Sequence, residues 1–403
     1  MLSAIIPANG NRSQLPSAGE RRTALPFPDP WILIPALLLL ALGLLMVASA
    51  SIPIGAHPKT GNGQPFFFLI RQGIFVLIGL FAAGVVFQIP MTRWRRAGPL
   101  LLLAAVGLLA AVLIPGIGKE VNGSIRWIGV GPINVQVSEI AKLFALVYVA
   151  DYLKRHGAEL QTRHFKTSAL ALGRPIAVLG VLAILLLLEP DFGSVIVLMA
   201  TALGMVFLAG VNIWQFMVLQ AGTATAMAVL LWSSPLRRAR LISFLDPWAD
   251  WQNSGYQLTQ SLIAIGRGEL FGVGLGESVQ KLFYLPEAHT DFLFAVLAEE
   301  LGLAGILLVI TLFMTLVWRA FKVAQRAERL DMQFSAWLAY GIGLWFGIQS
   351  LFNMGVNMGV LPTKGLTLPL MSYGGSSVVV MCVTLAVLMR IDVETRAGGV
   401  RSE

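Results

Sequence analysis

The stretch Lys281–Gly305 reads KLFYLPEAHTDFLFAVLAEELGLAG: a loop running into a strongly apolar helix. It carries Glu287, His289 and Asp291 at the helix mouth and Glu299 and Glu300 inside. An ionisable group in hydrocarbon costs about 2.5–3.5 kcal/mol on insertion scales, so acids kept there are candidates for function. The same holds for Arg126 in NGSIRWIGVGP, Glu139 and Lys142 in VSEIAKL, Glu189 and Asp191 in EPDFGS, and Lys364 in LPTKGLTLPLMSYGGSS. Glu139 and Lys142 stand three apart on one side of a helix and can pair, serve a site, or do both. Thr290 or Asp291 can cap the helix that follows. An acid beside so many cations is more than a cap needs. His289 suits positioning or hydrogen bonding better than metal ligation. Glu299 and Glu300 lie about two turns deeper and suit structural roles.

Membrane helices must position these residues. The 403-residue chain is 56% hydrophobic and 12% charged, where soluble domains carry about 25% charged residues. Apolar runs long enough to cross a bilayer, or nearly so, fall near 31–51, 67–87, 98–114, 138–153, 175–189, 192–210, 213–232, 291–318, 333–357 and 374–391. The expected fold is all-α, a polytopic bundle of about ten transmembrane helices with a long extracytoplasmic loop, 233–290, between helices 7 and 8. Regular strands are not expected, because a spanning chain satisfies its backbone internally. Residues 1–30, polar and rich in Pro, Gly, Ser and Arg, read as a disordered cytoplasmic tail. The transmembrane domain covers 31–391, and 392–403 form a second cytoplasmic tail. Ala48-Ser49-Ala50 resembles a signal-peptidase site, but its apolar run is long and many spans follow, so the first helix is retained.

Basic clusters set the orientation. Arg93, Arg95 and Arg96, then Lys154 to Arg174, Arg319 to Arg329, and Arg390 to Arg401 occupy alternate connections, which puts both termini in the cytoplasm. The loop 233–290 is the exception, with Arg237, Arg238, Arg240, Arg267 and Lys281. Long loops cross regardless of charge, and this basic content points to an anionic ligand on the outer face. On this topology every polar residue singled out above, except the deeper Glu299 and Glu300, converges on the extracytoplasmic side. The net charge of +8 then reflects topology and anionic lipid, and nucleic acid is not an expected partner. A lone Cys382 excludes an intramolecular disulfide. Four scattered histidines without HExxH or paired-Cys spacing give no expectation of a protein metal cage. The stretch GRGELFGVGLG lacks the preceding strand of a dinucleotide fingerprint, and YGGSS lacks the Gly-Lys-Ser/Thr of a phosphate loop.

SEIAK, EPDFGS, PEAHTDFLFAVLAEELG and LPTKGLTLPLMSYGGSS closely resemble the SEDS family (shape, elongation, division, sporulation), over most of the chain from about residue 31. The forms PEAHTDF and LPTKGLTLPLMSYGGSS are similar to its division-type branch more than to its elongation-type branch. The resemblance implies a ten-helix bundle in the bacterial inner membrane, at the septum, that polymerises lipid II into glycan strands and releases undecaprenyl pyrophosphate. It implies that Asp291 is the catalytic acid residue and that Arg126, Glu139, Lys142 and Lys364 serve substrate binding; His289 and Ser376 are further substrate-binding candidates. The 4-hydroxyl of one lipid-linked disaccharide attacks the anomeric carbon of another. Asp291 suits the base that takes the proton. Arg126, Lys142, Lys364 and either Arg240 or Lys281 suit the developing pyrophosphate charge, with a divalent cation, Mg or Mn, as a possible helper. Implied partners are a class B penicillin-binding transpeptidase of the FtsI type and other division proteins. The alternatives are a lipid II flippase, which needs ionisable residues through the full membrane depth, and a non-enzymatic scaffold, which would tolerate change at Asp291.

Overall fold

The computed structural model describes residues 27–58, 63–121, 124–130, 133–162, 164–233, 235–362 and 365–398. Its helices are α1 (Pro30–Ala56), α2 (Phe67–Phe87), α3 (Met91–Val112), α4 (Val137–Leu160), α5 (Phe165–Leu188), α6 (Phe192–Leu208), α7 (Ile213–Trp232), α8 (Pro235–Leu245), α9 (Tyr256–Arg267), α10 (Leu293–Arg329), α11 (Gln333–Asn357) and α12 (Gly375–Arg396). Apart from the short α8 and α9, these are the ten long helices expected. Seven are long and apolar enough to cross a membrane on length and composition alone, and α6 is apolar but shorter. The two that fall short, α4 and α11, carry the polar load: Glu139, Lys142 and Asp151 on one, Gln349, Ser350, Asn353 and Asn357 on the other. Both are packed on by several other helices, α4 by α3, α5, α6, α11 and α12 and α11 by α4, α6, α9, α10 and α12. Polar side chains lower their hydropathy without facing hydrocarbon.

Two layers of buried ions bracket an apolar middle. Asp29 caps α1 by accepting from the Trp31 N–H at 3.0 Å and pairs with Arg319 of α10. Near the other end of α1, the Ser49 hydroxyl donates to Glu300 of α10 at 2.6 Å. Residues 29 and 49 lie about 30 Å apart along a helix, the thickness of a bilayer core. Pro30–Ala48 and Leu301–Trp318 hold no Asp, Glu, Lys or Arg. A second cluster, Arg326 and Arg396 on Asp392, lies at the Asp29 end.

Regular strands are not expected from the apolar runs, and here the structure differs. Between α3 and α4 lies an antiparallel sheet, β1 (Gly118–Val121), β2 (Ser124–Val130) and β3 (Ile133–Gln136), in the order β1-β2-β3. Trp127 pairs with Gln136 and Ile128 with Val135. The rule against open strands applies only at membrane depth, and this hairpin lies in a connection between spans. β3 runs directly into α4, so the sheet orients the first turn of that helix.

The connection from α7 to α10 also has structure. After α9, residues 268–281 lie against a break in α10 at Gly302 (φ 63°, ψ −159°). Val273 and Gly274 N–H groups donate to Glu299 and Glu300 carbonyls at 3.0 and 3.1 Å, while Leu303 and Ala304 N–H groups donate to Glu269 and Leu270. The segment thus takes up the backbone groups that the break leaves open. A Cβ on Gly302 would meet the Gly268 carbonyl oxygen at 2.6 Å, and its φ is left-handed, so only glycine fits. The Glu299 carboxylate accepts from Ser278 Oγ, the Val279 N–H and Arg267 Nη1. Glu299 and Glu300 are thus both engaged within the protein.

Candidate functional site

Asp291 stands in the connection just ahead of α10. Its backbone carbonyl accepts from Asn353 Nδ2 at 2.9 Å and Asn357 Nδ2 at 3.1 Å. Asn357 Oδ1 accepts from the Ala295 N–H at 3.1 Å, satisfying a donor of the first helical turn. Asn353 Nδ2 also donates to the Leu366 carbonyl. These amides fix the backbone of Asp291 and leave its carboxylate for other work. A Cβ on Gly365 would stand 2.8 Å from Asp291 Oδ2, so the bare glycine lets the carboxylate lie against the 365–366 strand of chain. Gly193, at the start of α6, packs against Leu366 and the Gly365 carbonyl.

That contact brings in the α5–α6 connection. Asp191 caps α6, accepting from the Ser194 N–H at 3.3 Å and Ser194 Oγ at 2.7 Å. Arg126, on β2, places Nη1 3.6 Å from Asp191 Oδ1 and donates from Nη2 to Ser124 Oγ at 3.0 Å. Its side chain is 28% exposed. Burial, then the negative charge of Glu287, push the Asp291 carboxyl up to about 7; Arg126 opposes this and Asp191 adds to it. Asp291 remains partly accessible, as a group in contact with substrate must be.

The other expected residues distribute differently. Lys142 is fully enclosed. Its Nζ donates to Glu139 Oε1 at 2.9 Å and Gln349 Oε1 at 3.0 Å and lies 5.0 Å from the Trp345 ring. Gln349 Nε2 donates to the Thr367 carbonyl at 3.1 Å. The Glu139–Lys142 pair thus ties α4 to α11 and to the 365–368 segment beneath Asp291. Ser376 Oγ accepts from the Gln136 N–H at 2.9 Å and pins the β3–α4 junction to α12. His289 sits among Phe68 and Tyr373, ring centroids 4.8 and 5.4 Å away, and its carbonyl accepts from the Tyr373 N–H. Burial pulls its imidazole below the usual value, against Glu287, which favours the neutral ring.

Lys281 does not serve a leaving group: it is buried, with Nζ donating to Glu300 at 2.8 Å and Ser49 at 3.0 Å. Lys364 and the Arg240 side chain lie outside the described residues. Among those described, the expected ring of cations around Asp291 reduces to Arg126, accompanied by Asp191 and Glu287. Gln349, Asn353 and Asn357 escaped the sequence reading. Their signal was present: three amides at spacings of four in GIQSLFNMGVN, one face of an apolar helix.

The chain is a polytopic helical membrane protein with a carboxylate, an arginine and a buried amide ladder at one end. It belongs to the FtsW/RodA/SpoVE family of cell cycle proteins, which matches residues 30–397. It is 55% identical over 92% of its length to a probable peptidoglycan glycosyltransferase FtsW of Nitrosococcus halophilus, covering 94% of that protein. It is 53% identical to one of Thioalkalivibrio sulfidiphilus, over 92% of this chain and 91% of the relative. The rod shape determining protein RodA of Thermus thermophilus superposes with a TM-score of 0.66 at 27% identity, over 91% of this chain and 97% of that one. A chain of a peptidoglycan synthase complex studied for polymerization and crosslinking superposes at 0.72 and 27% identity, over 93% and 99%.

Proposed function

We propose that this chain is a division-type peptidoglycan glycosyltransferase that polymerises lipid II at the septum, with both termini in the cytoplasm. The observation that carries the chemistry is a partly accessible carboxylate, Asp291, raised to about 7, with the Arg126 charge close enough to act on it. The acceptor 4-hydroxyl forms a bond to the donor C1 while the C1–oxygen bond to pyrophosphate breaks. The hydroxyl proton passes to the Asp291 carboxylate. A base of this strength is matched to neutral pH. Pyrophosphate leaves unprotonated, so one carboxylate suffices where hydrolases of glycosides use two. Arg126, half-buried, meets the developing negative charge, with Lys364 as its expected companion. Glu139, Lys142 and Ser376 hold the frame.

Beneath Asp191, an apolar groove of about 450 Å³ runs between α6 and α7, lined by Ile196, Met199, Leu203, Phe207, Phe216 and Met227 among others. It suits a polyprenyl tail lying in the bilayer while the sugar stays above. Among the described residues no three His, Cys, Asp or Glu side chains are grouped to hold a metal. A divalent cation would therefore be held chiefly by pyrophosphate oxygens, as magnesium commonly is, and would supply charge neutralisation. A class B transpeptidase is the proposed partner, supported by the likeness to a chain of a polymerising and crosslinking complex.

The flippase alternative requires ionisable groups through the membrane. The charge-free middles of α1 and α10 speak against it. The test is the purified full-length chain with lipid II, with glycan length and released undecaprenyl pyrophosphate measured with and without EDTA. Polymer and pyrophosphate in equal turnover support the proposal. Transbilayer movement of lipid II without polymer overturns it.

A further inference from the structure

Glu189 has no part in the scheme above, yet it stands closest to its electrostatics. It ends α5, its N–H donating to the Leu185 carbonyl at 3.2 Å. Its side chain has no exposed surface, and neither carboxyl oxygen has a hydrogen-bond partner among the described residues. An ionised carboxylate in that state costs several kcal/mol, and the neutral acid much less. Burial, then the charge of Asp191, push its carboxyl up to about 8 against Arg126. The charged groups around this connection are Asp191 on the same stretch, Arg126 from β2, the Glu139–Lys142 pair of α4, and Asp291 across Gly365. Lys364, in the adjoining loop, lies outside the described residues.

The charge count decides what Glu189 does. With Glu189 neutral, Arg126 and Asp191 sum to zero, and the guanidinium has one carboxylate to leave, 3.6 Å away. With Glu189 ionised, these three are net negative and Arg126 feels a second carboxylate charge. We propose that Glu189, kept as the neutral acid, is a positioning residue that leaves Arg126 free to turn from Asp191 to the substrate pyrophosphate, and that its ionisation withdraws Arg126. This rests on the polymerase reading, since it presumes a pyrophosphate substrate.

The experiment is a pH–rate profile of lipid II polymerisation by full-length wild type and Glu189→Gln, each with a melting temperature. In parallel, infrared difference spectra record protonated carboxyl groups as pH is raised. In wild type, kcat/KM falls about tenfold per pH unit above about 8, through KM. Glu189→Gln, neutral at every pH, loses this limb. A carboxyl band titrates in wild type and is missing from the variant. If glutamine does not fold, Glu189→Met, equally uncharged, is read the same way. An unchanged alkaline limb in the variant, or no titrating band that depends on Glu189, overturns the inference and leaves the polymerase standing. A titrating band without polymerisation at any pH rejects the polymerase reading and this role with it.

Discussion

The raised carboxyl of Asp291 has a direct kinetic signature. A general base works only when ionised, and with a value of about 7 the ionised fraction is about one-tenth at pH 6 and one-half at pH 7. The rate of glycan polymerisation at saturating lipid II should therefore fall about fivefold between pH 7 and pH 6. With the ordinary value of 3.8, the rate over that interval would be flat. The perturbation that identifies the group is Glu287→Gln. Glu287 is the second cause of the rise, after burial, so removing its charge moves the acid limb to lower pH and raises the relative rate at pH 6. Arg126→Gln acts oppositely, moving the limb to higher pH while also lowering the plateau. The assay is initial-rate polymerisation from about pH 5.5 to 8 with each variant's folding verified. A flat wild-type profile, or a limb that ignores both Glu287 and Arg126, refutes Asp291 as the base.

Other expectations follow from the same geometry. Because the folded value of Asp291 exceeds its unfolded value, the ionised form destabilises the fold; the cost is absent below about pH 4 and complete above about pH 7. Asp291→Asn should then melt higher than wild type at pH 8 and equally at pH 4, by differential scanning of the detergent-solubilised protein. Glu139→Gln leaves the Lys142 ammonium uncompensated, at about 3–5 kcal/mol; adding Lys142→Met should recover most of the loss in a denaturant titration. Gly302→Ala forces a side chain into a left-handed position against the Gly268 carbonyl and should cost at least about 1–3 kcal/mol, read as lost yield of monodisperse protein.

The membrane class and the ten long helices were legible because hydropathy is local, and Asp291 stood out as an ionisable group at the mouth of an apolar helix. Arg126 was legible as an ionic group in an otherwise apolar region. What escaped depended on which cation meets which anion. Lys281 and Arg267 looked available for an outer ligand, but Glu300 and Glu299 claim them, and no sequence window spans those pairs. Lys142 read equally well as pair or ligand, and its enclosure by Glu139, Gln349 and Trp345 shows only in three dimensions. The sheet at 118–136 escaped because its strands are short and lie where membrane rules do not apply. Asn353 and Asn357 escaped although their spacing marks one helix face, because the Asp291 carbonyl they serve comes within reach only in three dimensions.

The most direct measurement is single-turnover transfer between two lipid II molecules by purified full-length Asp291→Asn at pH 8, where the variant should be the more stable protein and lipid II binding should persist. Loss of transfer by about two orders of magnitude or more with binding intact is expected of a missing base. Transfer at the wild-type rate by that folded variant would contradict catalysis by this carboxylate.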